Sequence, residues 1–191
     1  SGQTTANISN IGAGIYTVTV TDAAGCSKVL TDTITEPSAF TATLVNSTNI
    51  QCFGLSTGAA TVSTLGGAGG NVWSWTNSSS TLPSINNVAA GNYTATVTDQ
   101  NGCSASVSVT ITQPATAVNI QGTVTATTCG NSDGAVTTNV SGGTTPYTYN
   151  WNTGAVSASL TGLIPGIYAL TVTDANGCID SATYNVQASN A

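Results

Sequence analysis

Charge is almost missing from this chain. Acidic and basic residues together make up 4% of its 191 residues, and Lys28 is the only cation. The net charge is −6. Neutralising nucleic-acid phosphates takes clustered Lys and Arg, so nucleic-acid binding is excluded. Attraction to an anionic membrane surface is excluded for the same reason. Histidine and methionine are absent, and with histidine goes the usual general base near neutral pH. The carboxylates are Asp22, Asp32, Glu36, Asp99, Asp133, Asp174 and Asp180. Three of these, Asp22, Asp99 and Asp174, are one turn position repeated, which reads as architecture. No Ser-His-Asp set, phosphate loop or zinc constellation can be assembled. The expectation is a protein that is not an enzyme and carries no cofactor. No apolar run approaches the length of a membrane span, so no membrane insertion is expected. Helical periodicity is lacking throughout.

What the chain does have is a cassette, Tyr-x-x-Thr-Val-Thr-Asp-x-x-Gly-Cys, at Tyr16–Cys26, Tyr93–Cys103 and Tyr168–Cys178. Its tyrosines stand 77 and 75 residues apart. Other landmarks keep that spacing: Cys52 with Cys129, Gly66-Gly67 with Gly142-Gly143, and Trp75 with Trp151. Ile8-x-x-Ile11 before the first cassette returns as Ile85-x-x-Val88 and Leu160-x-x-Leu163. A fixed period of this length signals a tandem array of small domains. Residues 38–114 and 115–191 read as two complete units. Residues 1–37 match 78–114 and read as the back part of a truncated third, so the expectation is a window from a longer array.

Five cysteines are an odd number, which in a secreted chain suggests an intermolecular bridge or a free thiol. Small secreted domains staple their own cores. The favoured pairing is therefore within units, Cys52–Cys103 and Cys129–Cys178, with Cys26 unpaired. The rival pairing crosses boundaries, Cys26–Cys52 and Cys103–Cys129, and leaves Cys178 open.

Each cassette alternates strictly. Tyr16, Val18 and Val20 fall in one phase and Thr17, Thr19 and Thr21 in the other, the pattern of a half-buried antiparallel strand. Cys103 to Ile111 alternates in the same way. Asn101-Gly102 and Asn176-Gly177 lie between these runs and signal hairpins, since both residue types tolerate positive φ. Further strands are expected near 58–65 and 134–140, at 71–76 and 147–152, and around 118–127. Lys28, Ala105 and Asp180 share an inward-phase position, which requires either a bulge or a strand end outside the core. The fold expected is all-β, a tandem series of immunoglobulin-like sandwiches. The core aromatics are Trp75 and Trp151, backed by Tyr16, Tyr93 and Tyr168. Pro37 and Pro114 leave almost no linker between units, which points to an extended, stiff array.

Cys129-Gly-Asn-Ser-Asp133-Gly134-Ala, then Gly142-Gly143-Thr-Thr-Pro146-Tyr147-Thr-Tyr149-Asn-Trp151, then Gly166 to Cys178, closely resembles the SprB-type repeat of Bacteroidetes surface proteins. The resemblance implies very long cell-surface or secreted proteins exported by the type IX system, some of them gliding adhesins and others filaments. The unit 38–114 departs from it. Asn71-Val72-Trp73-Ser74-Trp75 lacks the Pro-Tyr-Thr-Tyr stretch, and the segment after Cys52 lacks the Asp-Gly.

These features give an extracellular structural repeat of an adhesin or filament. Its expected partners are neighbouring repeats, copies of itself and surface glycans. The alternative is a carbohydrate- or ligand-binding module, in which Trp73, Tyr147 or Tyr149 would stack on sugars. Exposure of Trp73 and Tyr149 on one flat face would favour it; burial would remove it. Asp99 with Asn101, and Asp174 with Asn176, offer oxygens that calcium would accept, but short of the six to eight it needs. Asp32-Thr33-Ile34 and Asp180-Ser181-Ala182 resemble the Bacteroidetes O-glycosylation acceptor, with Thr33 and Ser181 as the candidate positions.

Overall fold

The computed structural model describes residues 6–129 and 131–189. Every regular element among the described residues is a strand. Residues 6–37 contribute one hairpin, β1 (Gly14–Thr21) paired antiparallel with β2 (Ser27–Ile34). The middle unit has β3 (Thr41–Thr48), β4 (Gly58–Leu65), β5 (Val72–Trp75), β6 (Ser84–Val88), β7 (Gly91–Thr98) and β8 (Ser104–Ile111). Its sheets run β3-β4-β6 and β5-β7-β8. The last unit repeats this with β9 (Asn119–Thr125), β11 (Gly134–Ser141), β12 (Thr148–Trp151), β13 (Leu160–Leu163), β14 (Gly166–Thr173) and β15 (Ile179–Val186). Its sheets run β9-β11-β13 and β12-β14-β15. A short parallel pair, β10 (Thr127–Thr128) with β16 (Ala188–Ser189), closes its trailing end.

These orders are the A-B-E and C-F-G sheets of an immunoglobulin-type sandwich without strand D. The cassette strands β7 and β14 take the F position. Each cassette tyrosine donates its hydroxyl to a carbonyl four residues upstream: Tyr16 to Gly12 at 2.7 Å, Tyr93 to Ala89 at 2.9 Å and Tyr168 to Ile164 at 3.0 Å. That is the tyrosine corner of such sandwiches.

Strict alternation becomes burial where two sheets face each other. Tyr93, Ala95 and Val97 are buried in the middle unit, and Tyr168, Leu170 and Val172 in the last. Two separate cores result. One holds Trp73, Trp75, Ile85 and Val97; the other holds Trp151, Leu160, Leu170 and Val172. Trp75 and Trp151 each donate the indole N–H to a carbonyl, of Leu82 and Ser157, both at 2.9 Å.

The first hairpin differs. Val18 and Val20, equivalent to Ala95 and Val97, are 51% and 64% exposed. Tyr16 is only half-buried, which corrects its expected place in a core. The reason is that β1 and β2 form a two-stranded sheet with no second sheet across from it among the described residues.

The hairpin turns are also longer than Asn-Gly alone suggests. Between β7 and β8 lie Asp99–Cys103, and the glycines take the positive φ: 84° at Gly102 and 83° at Gly177. The inward-phase Asp180 causes no bulge, since β14 and β15 pair in unbroken register. It lies at the end of the sandwich, where its Oδ2 accepts the Ile120 N–H at 2.9 Å.

Two buried oxygens in the last unit, Thr127 Oγ1 and the Tyr184 hydroxyl, have no hydrogen-bond partner among the described residues. The middle unit places buried Ile50 and Val109 at the equivalent positions. Thr127→Val keeps the shape and removes an unsatisfied oxygen. It is expected to raise stability by about 1 kcal/mol. Urea titration checks this; a lower midpoint for the valine variant would show that the hydroxyl has a partner after all.

Candidate functional site

The chemistry of this chain concentrates where the middle unit meets the last. The single disulfide among the described residues joins Cys52 to Cys178, with a Cα–Cα distance of 5.6 Å and a sequence separation of 126. Cys26, Cys103 and Cys129 are free and exposed.

Both expected pairings are thereby corrected, the favoured Cys52–Cys103 and Cys129–Cys178 and the rival Cys26–Cys52 and Cys103–Cys129. The reason lies in the sandwich. Cys103 immediately precedes β8, at the end where the chain enters the unit. Cys52 lies at the other end: Ile50 N–H donates to Thr112 O at 2.8 Å, just past the last residue of β8. Eight residues of strand separate the two ends, about 27 Å at the rise of a β-strand. A disulfide needs Cα atoms within about 7 Å. The last unit has the same geometry. Thr127 N–H donates to Gln187 O at 2.9 Å, so Cys129 lies beside the end of β15, whereas Cys178 precedes its start. Early and late cysteines within one unit are at opposite poles. The late cysteine of one unit instead meets the early cysteine of the unit before it.

The loops that carry the pair are built by carboxylates. Asp174 Oδ1 accepts the N–H groups of Asn176 and Cys178, both at 2.8 Å, and its Oδ2 accepts Thr144 N–H at 2.8 Å. Asp99 repeats the arrangement with Asn101, Cys103 and Ala68, each at 2.9 Å. Asp22 keeps only the local half, accepting from Ala24 and Cys26 at 2.9 Å. In the two complete units the cassette aspartate therefore does two jobs: it shapes the hairpin that presents the late cysteine, and it ties that hairpin to the residue after the glycine pair, Ala68 or Thr144, in the loop leaving the opposite sheet. A Cβ on Gly143 would sit 2.6 Å from Asp174 Oδ2, where Gly143 has φ of 59°. Both constraints explain why glycine stands there.

Across the junction, Asn176 Nδ2 donates to Gln51 O at 3.2 Å and to Thr144 Oγ1 at 3.0 Å. The early-cysteine loops are held differently in the two units. Gly54 N–H donates to the Gln113 side chain at 2.9 Å. Asp133 accepts from both the backbone N–H and the hydroxyl of Thr128, next to Cys129.

Asp99 has its carboxyl held below the usual range, first by the Ala68 N–H and then by those of Cys103, Asn101 and Gly102, against the opposing effect of burial. For Asp174 burial is the largest single influence and acts upward, but the combined N–H donors of Cys178, Thr144, Asn176 and Gly177 leave it lowered. A lowered folded value means that the stabilisation is complete above the unfolded value, about 3.9, and is lost as pH falls through the folded one. Thermal melts are therefore expected to drop steeply below about pH 4. The double variant Asp99→Asn/Asp174→Asn should start lower at pH 7 and change less with acid. Parallel curves for the two proteins would remove the carboxylates from acid unfolding.

The aromatic residues offered for sugar stacking do not make a flat exposed face. Trp73 is 8% exposed and belongs to the middle core. Tyr147 and Tyr149 are half-buried against the last core, and the Tyr147 hydroxyl donates to Gly142 O at 2.6 Å. Thr33 and Ser181 are exposed on the outer faces of their strands. The oxygens of Asp99 and Asp174 considered for calcium are occupied by the backbone donors above. Sequence reasoning missed the junction role of Asn176 and the two-sheet role of Asp99 and Asp174. The signal available was the pairing of each cassette aspartate with a Gly-Gly in the front of the same unit.

The chain is thus a tandem array of immunoglobulin-like repeats. Residues 122–156 match the SprB repeat family, the family that the motif there resembles. No curated protein is significantly similar in sequence. Among solved structures it is similar to the N-terminal eight Ig domains of Down Syndrome Cell Adhesion Molecule, at 15% identity and TM-score 0.49, covering 92% of this chain and 27% of that one. It is also similar to three N-terminal domains of the bacteriophage RB49 Highly Immunogenic Outer Capsid protein, at 17% identity and TM-score 0.42, covering 78% and 59%. A third is extracellular domains 3–5 of Drosophila OTK, at 14% identity and TM-score 0.37, covering 93% and 72%. The chain spans about a quarter of the first of these.

Proposed function

We propose that this chain is a load-bearing segment of a long extracellular bacterial surface adhesin or filament, a stalk with no catalytic part. The observation that carries the reading is the Cys52–Cys178 clasp, which ties two sandwiches together across their junction. Pro114 lies in the short connection between β8 and β9 and restricts the backbone there. A covalent bond beside a short, stiff connection resists both bending and extension. The sparsely charged, hydroxyl-rich composition and the disulfide suit an oxidising compartment outside the cell. The resemblance to SprB-type proteins adds type IX export and a Bacteroidetes surface. Thr33 and Ser181 are the positions where a glycan would be carried. Partners are adjoining repeats, further copies and surface glycans. Force spectroscopy with and without a thiol reductant tests the reading; a chain that extends equally in both has no load-bearing clasp.

A further inference from the structure

Asn-Gly pairs occur twice in this chain, at Asn101-Gly102 and Asn176-Gly177, while the first cassette has Ala24-Gly25 in that place. Such a pair can react with itself. The glycine nitrogen closes on the asparagine side chain before it, because glycine has no Cβ to hinder the approach. Both asparagines are exposed, so water and base reach them. A Cβ on either glycine would meet nothing within 4 Å, so nothing crowds the attacking nitrogen.

The two turns match in their backbones. Gly102 N–H donates to Asp99 O and Gly177 N–H to Asp174 O, both at 3.0 Å. The glycine φ values are 84° and 83°. Asn101 N–H donates to Asp99 Oδ1 at 2.9 Å and Asn176 N–H to Asp174 Oδ1 at 2.8 Å. The side chains differ. Asn176 Nδ2 is held twice, by Gln51 O of the middle unit at 3.2 Å and by Thr144 Oγ1 at 3.0 Å. Asn101 Nδ2 has no acceptor among the described residues; its neighbour Gln100 reaches the facing loop instead, with Nε2 donating to Ala68 O at 2.8 Å. Gln51 stands next to Cys52, and its carbonyl oxygen is also 3.4 Å from Cys178 Sγ. The disulfide therefore fixes the carbonyl that holds the Asn176 amide.

We propose that Asn176 is a self-modification site guarded by the clasp: it deamidates slowly while Cys52–Cys178 is intact and faster once that bond is broken. A solvent base removes the Gly177 N–H proton, and the nitrogen attacks Asn176 Cγ. The Cγ–Nδ2 bond breaks, and Nδ2 takes a proton from water and leaves as ammonia. One water then opens the succinimide ring at either carbonyl, giving aspartate or isoaspartate at position 176. No electrons are exchanged. The leaving nitrogen is the one that bonds Gln51 O and Thr144 Oγ1, so both hydrogen bonds are given up on the way. The product changes the junction. A carboxylate at position 176 has no donor for Gln51 O and adds a negative charge beside Asp174. Reduction of the clasp thereby leaves a permanent mark, since a disulfide that re-forms afterwards does so without that hydrogen bond. This inference stands on the geometry of the junction and does not depend on the load-bearing reading.

The test incubates the whole 191-residue chain in mildly alkaline heavy-oxygen water, which labels each new carboxylate, and follows both sites by peptide mass spectrometry. In the oxidised chain Asn176 is expected to convert about tenfold more slowly than Asn101, the scale of two hydrogen bonds lost. Cys52→Ser should raise the Asn176 rate about tenfold and leave Asn101 unchanged. Thr144→Val removes one acceptor and leaves the disulfide in place; it should raise the Asn176 rate by roughly threefold. Amide protection at Leu170 and Val172, measured on the same samples, shows that the last unit stays folded. Equal rates at the two sites in the oxidised chain, an Asn176 rate indifferent to Cys52→Ser, or a rise seen only where that protection is lost would each overturn the proposal.

Discussion

Pulled from its two ends, the oxidised chain is expected to stop about 42–45 nm short of the length that the reduced chain reaches. The sum follows from one bond. Cys52 and Cys178 are 126 positions apart in sequence, and each residue of extended chain contributes about 3.3–3.6 Å. While the disulfide holds, tension runs from residue 52 directly to residue 178. Residues 53–177 include most of both sandwiches, and they can unfold within the loop but cannot lengthen the molecule. Cys52→Ser should give the full length without any reductant. Identical contour lengths for oxidised wild type and Cys52→Ser would mean that the bond does not form or is not in the load path. The same closure constrains the unfolded chain. On chain-entropy grounds a loop of this size stabilises the folded pair by about 5 kcal/mol. That gain is shared by two units, so the clasp should also make their melting more nearly a single transition.

In the Cys52→Ser background, Trp151→Ala is expected to unfold residues 119–189 and leave 41–111 folded. Trp151 is 2% exposed, donates its indole N–H to Ser157 O at 2.9 Å and packs against Tyr184 with ring centroids 6.0 Å apart. Removing a buried indole costs about 3–5 kcal/mol. A single core in a unit of this size supplies about the same. The middle unit should survive because the two hydrophobic cores have no residue in common. Amide hydrogen exchange resolves the two. Protection should vanish at Leu170 and Val172 and persist at Ala95 and Val97. Loss of protection at all four would mean that the sandwiches fold as one body.

The parts legible in the sequence were those governed by local periodicity. Val97 and Val172 alternate with threonines because one side of β7 and β14 faces the opposite sheet, and that pattern needs no knowledge of the partner. β6 and β13 were less legible. Ile85 and Val88, and Leu160 and Leu163, are three apart, not two. The backbone explains the spacing. Asn87 and Gly162 take positive φ, 54° and 70°, and the pairing of β4 with β6 and of β11 with β13 shifts register at Gly58/Ala59 and Gly134/Ala135. A bulge hides a strand from any two-residue period. Val18 and Val20 show the reverse case, a strand pattern read as core whose covering sheet is not among the described residues. The disulfide was misread for a different reason. Repeat phase says how far along a unit each cysteine falls, but not at which pole of the sandwich. The pole depends on strand order, which local pattern does not encode. The eight-residue strand between Cys103 and Thr112 was the one clue that a link within a unit is too long.

Proteolysis meets the same bond from another side. A cut anywhere between Phe53 and Gly177 opens the backbone but leaves both halves attached through sulfur. A protease would need a cut outside that interval, or a partner that reduces the bond, before it could release the outer piece. Damage that would sever an ordinary tether becomes, for this chain, a nick that it carries.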